Sequence, residues 1–222
     1  MTTTESLKVA VVTGGHRYDV PNFHQLFRQM PDLDVYIQHI EDFASSSQAV
    51  REAYDVLLFY IMMVEGPTDE GLPGYAGQPK SALARLGQTA QGIFLLHHAL
   101  LAYPHWPVWN ALTGLTEPWA GFGYEHDRTL QVDIADPDHP ITQGLKPWEM
   151  IDETYQMNEP DGNSHILLTL EAERSMRAIG WTRQYKQSRV FCLQSGHDNQ
   201  TWQNAQFRTL IRRGILWCAG RL

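Results

Sequence analysis

Cysteine is scarce in this chain, with Cys192 and Cys218 the two among 222 residues. One falls inside a predicted strand and the other inside the last predicted helix, which makes neither a disulfide framework nor a zinc-finger spacing. They read as packed thiols in a reducing compartment. Basic charge is sparse too: 17 Lys and Arg stand against 25 Asp and Glu, a formal charge of -8, with no basic cluster longer than "IRRG". Phosphate binding needs a concentrated Lys/Arg field, so a nucleic-acid partner is excluded. No apolar run approaches the roughly 18 residues of a spanning helix, and the start "MTTTESLKVAVV" lacks the parts of a secretory signal. A cytoplasmic protein with no membrane partner is expected. Also missing are the fuller dinucleotide-binding glycine pattern and any pair of histidines four apart on a helix.

What is present is 43% hydrophobic residues over 222 positions, enough for one substantial core, so a single domain over residues 1–222 is expected. "LKVAVVTGG" is a continuous apolar run ending in glycines, which suits a central parallel strand. After it, Val20, Phe23, Leu26, Phe27 and Met30 share one helical face, with Asp19 as N-cap and Pro21 in the first turn. "DVYIQHI" and "YDVLLFYIMM" read as the next strands, with a short polar stretch between them able to hold a helix. "SALARLGQTAQG" reads as a helix closed by Gly92, and "IFLL" as the fourth strand. This alternation predicts an α/β fold: a flavodoxin-like three-layer sandwich, its central sheet mainly parallel and covered by helices on both faces. From about Pro118 the pattern changes. "TLQVDI" and part of "MIDETYQM" alternate, suggesting an antiparallel extension, and "HILLTLE", "MRAIGWTR" and "SRVFCLQ" add further strands. A final helix, "NAQFRTLIRRGILWCAG", docks on the sheet. Residues 65–80 and the stretch "TGLTEPWAGFGYEH" form long loops of the kind used as lids or binding loops.

Three strand ends carry histidine. His16 follows Gly14 and Gly15, His97 and His98 follow "IFLL", and His197 follows "VFCLQSG". In a parallel sheet these ends line one crevice, where open α/β folds bind ligands. Of His97 and His98, neighbours on an extended chain, one is expected to face the crevice and the other to pack. Each histidine taken singly is more simply a group bonded to a loop carbonyl; their convergence makes the case for a site. Catalytic candidates are His97, His98, His197 and Glu153 of "IDETY", as acid/base groups or ligands. Substrate-binding candidates are Gly15, His16, Trp119, His126 and Asp198. The cofactor is left open; a divalent metal such as zinc is one option, with His16, one of His97 and His98 (His98 foremost), and His197 or a nearby carboxylate as its ligands.

In order along the chain, "VVTGGHRYDVPNF", "GIFLLHHA", "GFGYEH", "HPITQGL", "DETY" and "RVFCLQSGHD…W…FRTLIRRGILWCAG" resemble the ThuA-like (trehalose-utilisation) domain, nearly end to end. The resemblance implies the class I glutamine-amidotransferase-like fold. It also implies that His97 and His98 stand where an amidotransferase carries its nucleophilic cysteine, and that His197 stands at that fold's late histidine. Glutaminase chemistry is therefore not expected. The implied partner is a small carbohydrate, with a homo-oligomer left open. Two functions remain in play: an enzyme acting on a disaccharide or keto-sugar by histidine-based or metal-assisted chemistry, and a non-catalytic sugar-binding or regulatory domain.

Overall fold

A computed structural model describes residues 6–222; the first five residues, part of the stretch read for a secretory signal, lie outside the described residues. The elements run β1 (Leu7–Gly14), α1 (Val20–Arg28), β2 (Leu33–His39), α2 (Ile40–Ser45), α3 (Gln48–Glu52), β3 (Val56–Ile61), α4 (Pro79–Ala84) and β4 (Gly92–Leu96). A 3-10 turn (His97–Leu101) leads into α5 (Pro107–Thr113), and the chain continues through β5 (Gly123–Ile134), β6 (Trp148–Gln156), β7 (His165–Leu170), β8 (Ala178–Tyr185), β9 (Ser188–Leu193), α6 (Asn199–Trp202) and α7 (Ala205–Cys218). Among the described residues no helix is long and apolar enough to cross a membrane.

Among the described residues nine strands join one sheet in the order β2-β1-β3-β4-β9-β8-β7-β5-β6. From β2 to β9 the pairings are parallel, and from β9 to β6 they are antiparallel. The sheet is thus mixed, which corrects the expectation of a mainly parallel one. The cause is local: Tyr185 pairs with Ser188, leaving two residues between β8 and β9, and so short a connection can only make an antiparallel hairpin.

Alternation along β1 divides the core. Val9 and Val11 pack with Phe23 and Leu26 of α1 and Phe207 and Leu210 of α7. Ala10 and Val12 pack on the opposite face with Phe43 of α2, Leu83 of α4 and Trp109 of α5. Each large apolar side chain buried this way contributes about 1.5–3 kcal/mol, so both helical layers are held by the same strands that carry the histidines. Asp19 caps α1 by accepting the Asn22 N–H, and a proline occupies its first turn, as its sequence suggests. The helix read over residues 81–92 is shorter than expected. It covers Pro79–Ala84, Gly87 turns the chain at φ 78°, and Gly92 opens β4 instead of closing the helix. Gly92 has a packing reason: a Cβ there would meet the Cys218 carbonyl oxygen at 2.6 Å. Within residues 65–80, Gly71 and Gly77 approach Glu41 and Ser45 of α2, and none of the segment lines the cavities described below.

Candidate functional site

Strand β4 ends at Leu96, and the chain turns at once into its 3-10 turn with His97 at φ 55°. A non-glycine residue in the left-handed region costs energy that the surrounding contacts must hold in place. Here they are specific. His97 Nδ1 lies 2.7 Å from the Gln194 carbonyl oxygen beyond β9, and since a carbonyl only accepts, Nδ1 carries the proton. His98 Nδ1 likewise donates to the Ile61 carbonyl at 3.0 Å. Both imidazoles are buried and both line one cavity. Strand alternation failed for this pair because the backbone is a tight turn, not an extended chain.

Glu153 arrives from β6. Its Oε2 lies 3.1 Å from His97 Nε2 and 3.1 Å from His197 Nδ1, and its Oε1 lies 3.1 Å from His126 Nδ1. Glu125 pairs with Thr154 and Arg128 with Asp152, so His126 and Asp127 oppose Glu153 alone. This two-against-one bulge in β5 re-aims His126 onto the carboxylate. Next to Glu153, the buried Asp152 carboxylate accepts the backbone N–H of Gly196 at 2.8 Å and of His197 at 3.0 Å, tying the loop after β9 to β6. Gln194 adds a second tie, its amide donating to the Glu153 carbonyl at 2.9 Å. Two residues beyond Glu153, on the same side of the strand, Tyr155 places its hydroxyl 2.8 Å from His97 Nε2.

The electrostatics follow from this crowding. Burial pushes the Glu153 carboxyl up, but hydrogen bonds from His197 and His97 outweigh it and hold the group well below the ordinary carboxylate range. His197 moves the other way: its hydrogen bond to Glu153 overcomes burial and raises its pKa. Burial, with His97 and His16 nearby, drives His98 well below 6.5. Burial and the Glu153 charge keep the Tyr155 hydroxyl protonated.

The inner cavity, about 250 Å³, is lined by these groups and by Trp119, Phe122 and Tyr124. Trp119 donates its indole N–H to the Leu101 carbonyl at 2.9 Å, leaving its ring as wall. A wider chamber of about 510 Å³ adjoins it, with Arg17, Asp127 and Asp198 in its lining, and His16, His126 and His197 border both. Asp198 also caps α6 by accepting the Gln200 N–H at 2.8 Å. Gly15 lies apart from the inner cavity; it lines a third depression with Gln38 and His39, and at φ 74° it passes Met62 so closely that a Cβ would meet that residue's carbonyl oxygen at 2.4 Å. His16 sits at a ring distance of 4.8 Å from His98.

Among the described residues one group of three side chains is spaced to hold a metal, and it is His97, Glu153 and His197. Of the ligands expected from sequence, His197, His97 of the adjacent pair and a carboxylate belong to this group, whereas His16 and His98 do not. Tyr155, Gln194, Phe122 and Tyr124 were not anticipated. Tyr155 had a signal in "DETYQ", two residues after Glu153 on the same strand face, whereas Gln194, which holds His97 through its carbonyl and Glu153 through its side-chain amide, left none. Neither thiol is placed as a nucleophile. Cys192 lies inside β9, and burial pushes Cys218 up to about 12.

Residues 8–218 match the family model ThuA, described as trehalose utilisation. A search of curated proteins found no match. Among solved structures, a ThuA-like protein from Parabacteroides merdae is similar over 97% of this chain and 90% of its own, at 19% identity and a TM-score of 0.75. Another from Bacteroides uniformis is similar over 98% and 93%, at 14% identity and 0.71. A cytoplasmic protein from Salmonella typhimurium is similar over 96% and 99%, at 12% identity and 0.67. At these identities the likeness is one of fold.

Proposed function

Because this chain belongs to the ThuA (trehalose utilisation) family, we propose that it is an enzyme of carbohydrate metabolism acting on a disaccharide or keto-sugar by proton transfer at the His97–Glu153–His197 centre. The observation that carries this reading is the Glu153 carboxylate, 6% exposed, bordering a cavity with three imidazoles each 3.1 Å from its oxygens. A carboxylate held so acidic is a poor base, so its work is to orient the imidazoles and to favour their charged form. His197, raised by Glu153 and bordering both chambers, is the group that gives up a proton to substrate oxygen. His97, turned by Gln194 and reached by Tyr155, is the partner that exchanges one on the inner side. Aromatic walls at Trp119, Phe122 and Tyr124 suit the apolar face of a sugar ring, and the outer chamber offers Arg17, Asp127 and Asp198 to the hydroxyls of a second ring.

Glutaminase activity has no support, since a histidine occupies the sharp turn after β4 and both thiols are buried. Two free buried cysteines favour a reducing, cytoplasmic setting. Incubation with trehalose, its 3-keto form and related glucosides, followed by NMR and mass spectrometry, tests the proposal. A new sugar product formed by the wild type and not by Glu153→Gln is expected. Every sugar recovered unchanged would leave a binding or regulatory domain instead.

A further inference from the structure

We infer that His97 Nε2, Glu153 Oε2 and His197 Nδ1 form a binding site for one first-row divalent cation, zinc-like in its preference, with its open coordination position facing the inner cavity. This rests on the functional reading above and deepens it: with the ion bound, His97 Nε2 and His197 Nδ1 serve as its ligands, and a Lewis acid takes over from them the activation of the substrate oxygen. It stands on three geometric observations.

The first is spacing. The three atoms lie 3.1, 3.1 and 3.3 Å apart. A tetrahedral cation with bonds of 2.0–2.1 Å separates its ligand atoms by about 3.3 Å. The side chains therefore already stand nearly where such an ion would hold them, with the ion just off the plane of the triangle.

The second is proton inventory. Nδ1 of His97 is committed as a donor to the Gln194 carbonyl, so the neutral ring presents an acceptor lone pair at Nε2, which the Tyr155 hydroxyl also reaches at 2.8 Å. Around that nitrogen stand the Glu153 carboxylate oxygen and His197 Nδ1, which donates to the carboxylate as a protonated ring nitrogen and becomes a ligand once that proton is released. A carbonyl that accepts from the ring's other nitrogen, fixing the tautomer, is the usual arrangement of a metal-binding histidine.

The third is the outer support. The second oxygen of Glu153 is taken by His126 at 3.1 Å, and the His197 backbone N–H is held by Asp152 at 3.0 Å. Both ligands are oriented by groups that do not themselves compete for the ion. All three ligand residues line the cavity, so substrate or water can complete the coordination. Two imidazoles and one carboxylate suit zinc or ferrous iron better than magnesium or calcium, which demand more oxygen ligands. The ion would polarise a sugar carbonyl or hydroxyl oxygen.

The test uses the full chain purified without an affinity tag, stripped with chelator and dialysed. Zinc titration by calorimetry, elemental analysis and the visible spectrum of the cobalt-loaded protein are measured for wild type, Glu153→Gln, His197→Ala and a surface control, His165→Asn. His165 lies 2.8 Å from Asp136 on the exterior, where adventitious binding would occur. Expected are one tight equivalent and low-symmetry cobalt bands in wild type and His165→Asn, with affinity lower by about 100-fold or more in both site variants. Circular dichroism of each variant separates ligand loss from unfolding, and Glu153→Gln preserves shape if His197→Ala does not fold. Absence of stoichiometric binding in wild type, or binding lost in His165→Asn alone, overturns the inference. Sugar turnover by a protein that binds no metal would overturn the metal and leave the function. Tight binding with no sugar turned over would do the reverse.

Discussion

Asp152 accepts the backbone N–H of His197 at 3.0 Å, across a gap that joins the β6 edge of the sheet to the loop beyond β9. The same carboxylate accepts the Gly196 N–H at 2.8 Å, so a buried acid that never enters the cavity sets the position of a residue that does. Asp152→Asn turns one acceptor into a donor facing an N–H. A loss of about 1–3 kcal/mol is expected from the unsatisfied group, together with weaker turnover through a displaced His197. Chemical denaturation and a crystal structure of the variant check both; unchanged stability with His197 in place would refute the positioning role.

Glu153 raises the pKa of His197 through a 3.1 Å hydrogen bond. In Glu153→Gln that support is gone, and the His197 titration followed by NMR should move down toward the ordinary value. A titration that stays put would mean that the shift comes from elsewhere.

His98 is buried, donates to the Ile61 carbonyl, and is faced by His16, His97 and Tyr60. Burial first, then its two histidine neighbours, holds it neutral in the fold, whereas in the unfolded chain it titrates near 6.5. As pH falls through that value the unfolded state takes up a proton that the folded state refuses. Stability therefore falls on acidification, by up to about 1.4 kcal/mol per pH unit from this group. His98→Gln removes the effect, so the drop in melting temperature from neutral to mildly acidic pH should be smaller than in wild type. Equal drops would show that His98 does not titrate on unfolding.

Gly15→Ala should destabilise the fold by at least about 1–2 kcal/mol, the cost of left-handed backbone for a residue with a Cβ. The added Cβ would also meet the Met62 carbonyl oxygen at 2.4 Å. Thermal unfolding reads this directly, and an unchanged midpoint would show that the turn has room.

The parts of this molecule legible in its sequence are those fixed locally. The apolar run of β1, the Asp19 cap with its following proline, and the packed face of α7 follow from short-range pattern, and the strand ends that bring His97 near His197 follow from parallel pairing. Less legible were features set by long-range or irregular backbone. The left-handed turn at His97 puts both adjacent histidines on one cavity, against alternation. The bulge at His126 and Asp127, which delivers an exposed loop histidine to Glu153, depends on a register that no spacing reveals. The metal-type triangle accordingly contains Glu153, a residue whose relevance turned on where an edge hairpin would lie.

The central claim is that Glu153, held between His97 and His197, drives chemistry on a sugar. The most direct measurement is kcat/KM for 3-keto-trehalose, with wild type and Glu153→Gln compared under identical metal loading. Turnover by the wild type is expected, with a fall of about 10²–10⁴-fold in the variant, the contribution of the acid/base histidines that Glu153 orients. Equal rates in the two proteins, with the fold of each intact, would contradict it.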